Sequence, residues 1–222
     1  MKKTDAQEAV PICKTVLGTV LSSVATRGRP GSDLRTAVND FLADAQTIIQ
    51  HDESGPVLAD IFNKAIAAGM TLAQMEHVRR VAADQAPKTL GARLVQNGLI
   101  RFALSASGTI LANTTFVSRQ DVTATQNSMN DAFAAMEEIA ADDMDQMGYQ
   151  LTVALHAAVT FYLIETGRPL PRVINFQFAA SKPTIVTSYR LYATAGRGDE
   201  LRDENKVVHP AFMKPFGIAL SA

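Results

Sequence analysis

The stretch Gly167-Arg168-Pro169-Leu170-Pro171-Arg172-Val173-Ile174-Asn175-Phe176-Gln177-Phe178 separates two kinds of pattern. Before it, apolar residues recur at three- and four-residue spacings, the helical period. Inside it, two prolines remove amide donors and disfavour a helical turn before them, so helix must end here. Beyond the prolines, Val173-Ile174-Asn175-Phe176-Gln177-Phe178 alternates apolar and polar residues, as a half-buried strand does. The chain therefore reads as mainly α with a small α+β module at its C-terminal end: a helical domain over 1–168 and a module over 169–222.

Downstream, Lys182-Pro183-Thr184 opens a short helix that carries Ile185, Val186, Tyr189, Leu191 and Tyr192. Gly196-Arg197-Gly198 breaks it. Asp199 is a suitable cap for a second short helix, with Leu201 as its apolar anchor. Asn205 ends that helix. Val207, Val208, His209-Pro210 and Phe212 follow, and Pro215-Phe216-Gly217-Ile218-Ala219-Leu220 reads as a turn into a closing strand. The expected order is strand–helix–helix–strand, two strands pairing with two short helices on one face. A core of about ten apolar side chains is small for an independent domain and is expected to lean on the preceding helices.

Upstream, Val10, Cys13, Val16, Leu17, Val20, Leu21 and Val24 form one stripe of a helix over 6–25. Arg27-Gly28-Arg29-Pro30-Gly31 breaks it. Ser32 and Asp33 are cap candidates for a helix to about Ile49, with Leu34, Val38, Phe41, Leu42, Ala45 and Ile48 inward. Pro56 suits the first turn of a third helix, which Gly69 stops. Thr71 with Gln74 spells a capping box for a fourth, ending before Pro87. A fifth, from Lys88 to Ser105, is expected to bury Leu90, Leu94, Leu99, Ile100 and Leu104. Residues 106–118 read either as its extension or as a loop. Two further helices, from Arg119 to Asp145 and from Met147 to Glu165, complete the helical part.

Composition excludes several classes. The 222 residues carry a net charge of −1, so no sign dominates and no nucleic-acid partner is called for. A single cysteine, Cys13, cannot form an internal disulfide, and reads as a small apolar side chain on a helix face. Asp5, Glu8 and Lys14 interrupt any apolar signal segment after Met1-Lys2-Lys3. The run Leu151 to Ile164 contains His156, is short for a bilayer span and is expected to be a buried helix. A soluble product made in the cytoplasm, without a membrane partner, is the expectation.

No motif supports catalysis, and no catalytic, cofactor-binding or metal-ligating residue is assigned. Asp142-Asp143-Met144-Asp145 with Glu137 and Glu138 lacks a glycine-turned cation loop, and reads as a solvated helix face. His51, His77, His156 and His209 are scattered, with no two at ligand spacing. His156 reads as a satisfied core histidine. Arg27, Arg29 and Arg35 make a small basic patch without interleaved aromatics. Arg197-Gly198-Asp199 matches an integrin-binding triplet, but the helix-cap role accounts for Asp199.

Tyr192, Gly196-Arg197-Gly198-Asp199-Glu200-Leu201, Asn205-Lys206-Val207-Val208-His209-Pro210-Ala211-Phe212, and Gly217 with Leu220 resemble the C-terminal end of Mu-like phage DNA circularisation proteins, which are tail and baseplate components. The match covers about residues 168–222. The Leu–Asn–Pro–Gly–Leu skeleton is also similar to LysM modules. The β-rich domain with which family members usually begin has no counterpart here, so this chain is expected to be a truncated, split or diverged relative. The resemblance implies a structural role in a contractile phage or prophage tail, at the baseplate or tail hub. Its partners would be other tail proteins and further copies of itself in a ring. Its location would be the host cytoplasm during assembly and then the virion tail. It also implies module-defining or docking roles for Tyr192, Asp199, Leu201, Asn205, His209, Pro210, Phe212 and Gly217, with a structural hydrogen bond for the His209 ring. Binding to peptidoglycan, from the LysM similarity, and binding to DNA ends, from the family name, are the alternatives.

Overall fold

The computed structural model describes residues 1–24 and 28–221. Arg27, at the start of the expected break, lies outside the described residues. Among those described, the order is α1 (Lys3–Ser23), α2 (Gly28–Gln50), α3 (Ser54–Ala67), α4 (Leu72–Ala83), α5 (Leu90–Ala112), α6 (Arg119–Asp142) and α7 (Gln146–Gly167). Then come β1 (Val173–Gln177), α8 (Thr184–Tyr192), α9 (Gly198–Glu204) and β2 (Phe216–Leu220). The protein is mainly helical with a small α+β part. It divides into two compact units, 1–114 with 129–159, and 115–128 with 160–222.

In the first unit α1 packs on α2, α4 and α5, and α5 also packs on α3 and α4. Of the α1 stripe, Cys13, Val16, Leu17, Val20 and Val24 are buried, whereas Val10 and Leu21 are half-buried. Ser32 and Asp33 do not cap α2. The helix starts earlier, at Gly28, which takes φ +83°. Asp44 breaks the helical geometry of α2 (φ −117°, ψ 15°), and beyond it the buried position is Ile49 rather than Ile48. The Thr71–Gln74 capping box forms, and Gly69 takes φ +86° after α3. Gln96, on α5, sends its buried amide Nε2 to the carbonyls of Ala82 (2.9 Å), Ala83 (3.2 Å) and Gln85 (2.6 Å), at and just past the C-terminal end of α4. The undecided segment 106–118 resolves as helix to Ala112 and loop thereafter.

Three expectations about direction fail. Leu90 and Leu94 are exposed, because the first turns of α5 face Gly91, Ala92 and Val95 inward instead, with Gly91 close against Asp5 of α1. The acidic cluster is not simply solvated. Asp143 accepts from Asn97 Nδ2 (2.8 Å), Asp145 pairs with Arg101 (2.6 Å), and Glu137 meets His156 Nδ1 (2.8 Å). Third, α7 is not a buried helix. In the first unit Gly148, Thr152 and Val159 are buried and Met147 and Leu151 are exposed; in the second, Leu163 and Gly167 are buried and Phe161 is exposed. At 22 residues α7 is also longer than the apolar run within it, and it passes a length-and-composition test for crossing a membrane. His156 is hydrogen-bonded as expected, between Glu137 and Asn130 (Nε2 to Oδ1, 3.0 Å), and stacked on Phe133, but it is half-buried rather than a core residue.

In the second unit β1 and β2 pair antiparallel, with Val173 opposite Leu220 and Gln177 opposite Phe216. Phe176, Leu201, Met213 and Ala219 form the core, with Phe178, Leu191, Tyr192 and Val207 against it. The unit reaches beyond residues 169–222 because α6 supplies part of it. Gln120 pairs with the outward edge of β1, accepting from Val173 N–H (2.8 Å) and donating to Val173 O (3.3 Å).

Candidate functional site

The eight residues singled out in the terminal segment fall into two sets, one that builds the module and one that it presents.

Leu201 and Asn205 build it. Leu201 is fully buried at the centre of the small core. Asn205 caps α9 at its C-terminal end, but the left-handed residue is the next one, Lys206 (φ 51°). That leaves the Asn205 amide free for another task. Its Oδ1 accepts from Ile218 N–H (2.8 Å), and its Nδ2 donates to Ile218 O (2.7 Å) and Leu201 O (2.9 Å). The side chain thus pairs with the outward edge of β2 as a neighbouring strand would. Gly217 makes room for it. A Cβ there would stand 2.9 Å from Phe176 Cζ and 3.0 Å from Asn205 Cγ. The glycine is needed for close approach, since its φ is not positive.

Tyr192 ends α8, and the Arg197 guanidinium lies over its ring, 3.8 Å from the centroid. Burial pushes its phenol up from its ordinary value, and Arg197 opposes that. Arg197 in turn holds Glu200 through two hydrogen bonds (2.9 and 2.7 Å). Asp199 is not a cap. The helix begins at Gly198 after Arg197, so Asp199 lies within the first turn, exposed, and pairs with Arg202 (3.1 Å). A carboxylate in that turn still favours the positive end of the helix.

The second set lies on the connection from α9 to β2. His209 Nδ1 accepts from Ala211 N–H (3.3 Å), and its ring tilts against Phe212 at 5.3 Å. Pro210 O accepts from Thr184 N–H (2.7 Å), which ties this connection to the start of α8. Val208, Phe212 and Phe216 stand 99%, 74% and 61% exposed. They edge a groove of about 570 Å³ that Lys206 and Lys214 flank and no carboxylate enters.

Helix α8 reverses the expected polarity. Ile185, Val186 and Tyr189 point to solvent, and Thr184, Thr187 and Ser188 are the buried residues. The hydroxyls are satisfied locally, Ser188 donating to Thr194 O (2.7 Å) and Thr187 to Pro183 O (3.2 Å). Periodicity revealed the helix but not which side faces the core. Gln120 was missed as well, because nothing in its local sequence marks a lone glutamine as a strand partner.

No protein-family model matches the chain, and no curated protein matches it.

Among the described residues no group of three or more His, Cys, Asp or Glu could hold a metal ion. Cys13 is buried and its thiol is pushed up to about 12 by desolvation, which removes the thiolate needed for nucleophilic attack.

Proposed function

We propose that this chain is a structural component of a contractile phage or prophage tail, at the baseplate or tail hub, working by assembly rather than catalysis. The observation that carries the reading is the unpartnered apolar surface of the terminal module: Ile185, Val186 and Tyr189 on α8, with Val208, Phe212 and Phe216 after α9. A small unit that points six large apolar side chains at water while its interior is filled by Phe176, Leu201 and Met213 is suited to docking. The resemblance of Tyr192 through Leu220 to the Mu-like circularisation proteins supplies the context. In that reading the βααβ order is LysM-like, the helical part contacts further copies, and the module meets another tail protein.

The test is genetic and structural. Deleting the gene from the prophage that carries it, and separately replacing Phe212 and Tyr189 by serine, is expected to give particles with missing or unattached baseplates by electron microscopy. Normal contractile tails from the deletion strain would end the proposal.

The groove beside Phe212 and Phe216 gives a second reading some support, because exposed aromatic faces suit sugar rings. Purified peptidoglycan is the discriminating probe. Saturable retention of the wild type, lost in Phe212→Ser, would favour a wall-binding module over a docking one.

A further inference from the structure

The groove beside Phe212 and Phe216 has a chemical bias that its apolar side chains alone do not show. Its lining falls between Asn205 and Gly217, wholly within the second unit, and includes Lys206, His209 and Lys214 but no Asp or Glu. Among the described residues neither lysine has an ion-pair partner, whereas the arginines at neighbouring α9 are engaged, Arg197 by Glu200 and Arg202 by Asp199 and Asp203. His209 Nδ1 accepts from Ala211 N–H, so the neutral ring carries its proton on Nε2 and presents a donor. The Asn205 amide is taken by Ile218 and Leu201. The polar side chains left to meet a ligand are therefore donors, set among Phe212, Met213 and Phe216. Lys206 is also held at φ 51°, the left-handed position past a helix end that glycine or asparagine normally takes. The turn gains nothing from a long cation there, so its use is outward.

We propose that this groove receives an acidic segment of a partner protein. One large apolar side chain of the segment lies on Phe212 and Phe216, and carboxylates on either side of it meet Lys206 and Lys214. The inference rests on the docking reading of the module and names the partner's chemistry; it does not need the tail setting. The groove, at about 570 Å³, is large enough for such an anchor, since ligand pockets run from roughly 300 to 1,000 Å³. Strand addition is closed to the segment, because Asn205 already pairs with the outward edge of β2. Recognition then falls to side chains: the apolar anchor supplies affinity, and the charges supply steering and choice of partner.

Three other occupants fit less well. A sugar ring would find aromatic faces, but no carboxylate or uncommitted amide among the lining side chains to accept from its hydroxyls. A phosphate chain needs a continuous basic track, and α9, which leads into the groove, carries Asp199, Glu200, Asp203 and Glu204. A lipid surface is flat on this scale and would leave the recess unfilled. An acidic peptide uses all three features at once: the hollow, the aromatic rings and the unpaired lysines.

The probe is a synthetic peptide, blocked at both ends, with two glutamates on each side of a phenylalanine, titrated into the full nitrogen-15-labelled chain. Amides of Val208, Met213 and Gly217 should shift saturably in heteronuclear NMR spectra, while those of α5 stay in place. Binding should weaken at least ~10-fold when lysines replace the glutamates or serine replaces the phenylalanine, and should fall as salt rises from about 0.05 to 0.5 M. A chain carrying both Lys206→Glu and Lys214→Glu, at exposed positions, should lose the glutamate peptide and gain the lysine peptide, and that gain itself shows that the variant folds. The proposal is overturned by the absence of saturable shifts up to millimolar peptide, by equal binding of the lysine or serine peptide, or by unchanged binding in the double variant. It is equally overturned if the double variant instead loses retention on phosphatidylglycerol vesicles, a single-stranded oligonucleotide or peptidoglycan that the wild type shows. If the peptide fails while serine at Tyr189 still detaches baseplates, docking survives through α8 and the groove proposal alone falls.

Discussion

Replacing Asn205 by alanine should selectively unfold the terminal module. The side chain makes three hydrogen bonds, two to Ile218 and one to Leu201 O, and all are partly shielded from water. At about 1 kcal/mol net for each bond, with a further penalty where a shielded backbone group is left without a partner, the loss should be about 2–4 kcal/mol. A core of four buried side chains has little reserve, so that loss should exceed the local stability of the sheet. Amide hydrogen exchange reads the effect directly. The Ile218 N–H should lose protection by a factor of about 30 or more, while amides of α5 in the first unit stay protected. Asn205→Asp is the informative companion. A carboxylate can still accept from Ile218 N–H, but it cannot donate to the two carbonyls, so it should not restore protection at neutral pH. The reasoning fails if Asn205→Ala leaves exchange at Ile218 within threefold of wild type, or if Asn205→Asp protects it fully.

Other perturbations follow the same logic. Gly217→Ala should cost about 1–3 kcal/mol, read from the same amides, since its Cβ would press on Phe176 and the Asn205 amide. Gln96→Leu should lower the urea midpoint of the first unit by the equivalent of about 1–3 kcal/mol, because it removes the side-chain donor to the carbonyls of Ala83 and Gln85. Asp145 is held below its ordinary value, first by the Gly148 N–H and then by Arg101. Its contribution to stability should therefore be complete above the ordinary carboxylate value and fade as pH falls through the lower folded value, a dependence that Asp145→Asn should abolish in acid denaturation curves. Cys13 should resist alkylation at pH 8 in the native protein and react at once in denaturant. Rapid native labelling would contradict its burial.

Element type was legible along most of the chain, because helical spacing and glycine and proline punctuation are local properties. The capping box at Thr71–Gln74 and the stop at Gly69 are written in adjacent residues. Direction was less legible. The apolar positions of α8 and α7 were correctly helical, yet Ile185, Tyr189, Leu151 and Phe161 face solvent. An apolar stripe marks a face that gains from burial and does not say what buries it. The chemistry of Asn205 was legible only as a helix ender, since its true partner is thirteen residues away on β2. Asp199 misled for a similar reason: a helix start shifted by one residue turns a cap into a first-turn carboxylate.

The sheet itself narrows how the module can meet a partner. Two strands alone are marginal in water, and their outward N–H and C=O groups invite a third. Here an amide side chain occupies each outward edge, Gln120 at Val173 on β1 and Asn205 at Ile218 on β2. A peptide added to β2 would find its central residue already paired, and one added to β1 would lose the first. Docking by strand addition would have to break these bonds before making its own. The remaining route is through side chains, and the side chains available are those that the module turns outward: Ile185, Val186 and Tyr189 on α8, and Val208, Phe212 and Phe216 on the connection that Pro210 ties to the start of that helix. If the module docks, serine at these positions should weaken the complex without disturbing exchange at Ile218, and alanine at Asn205 should disturb both.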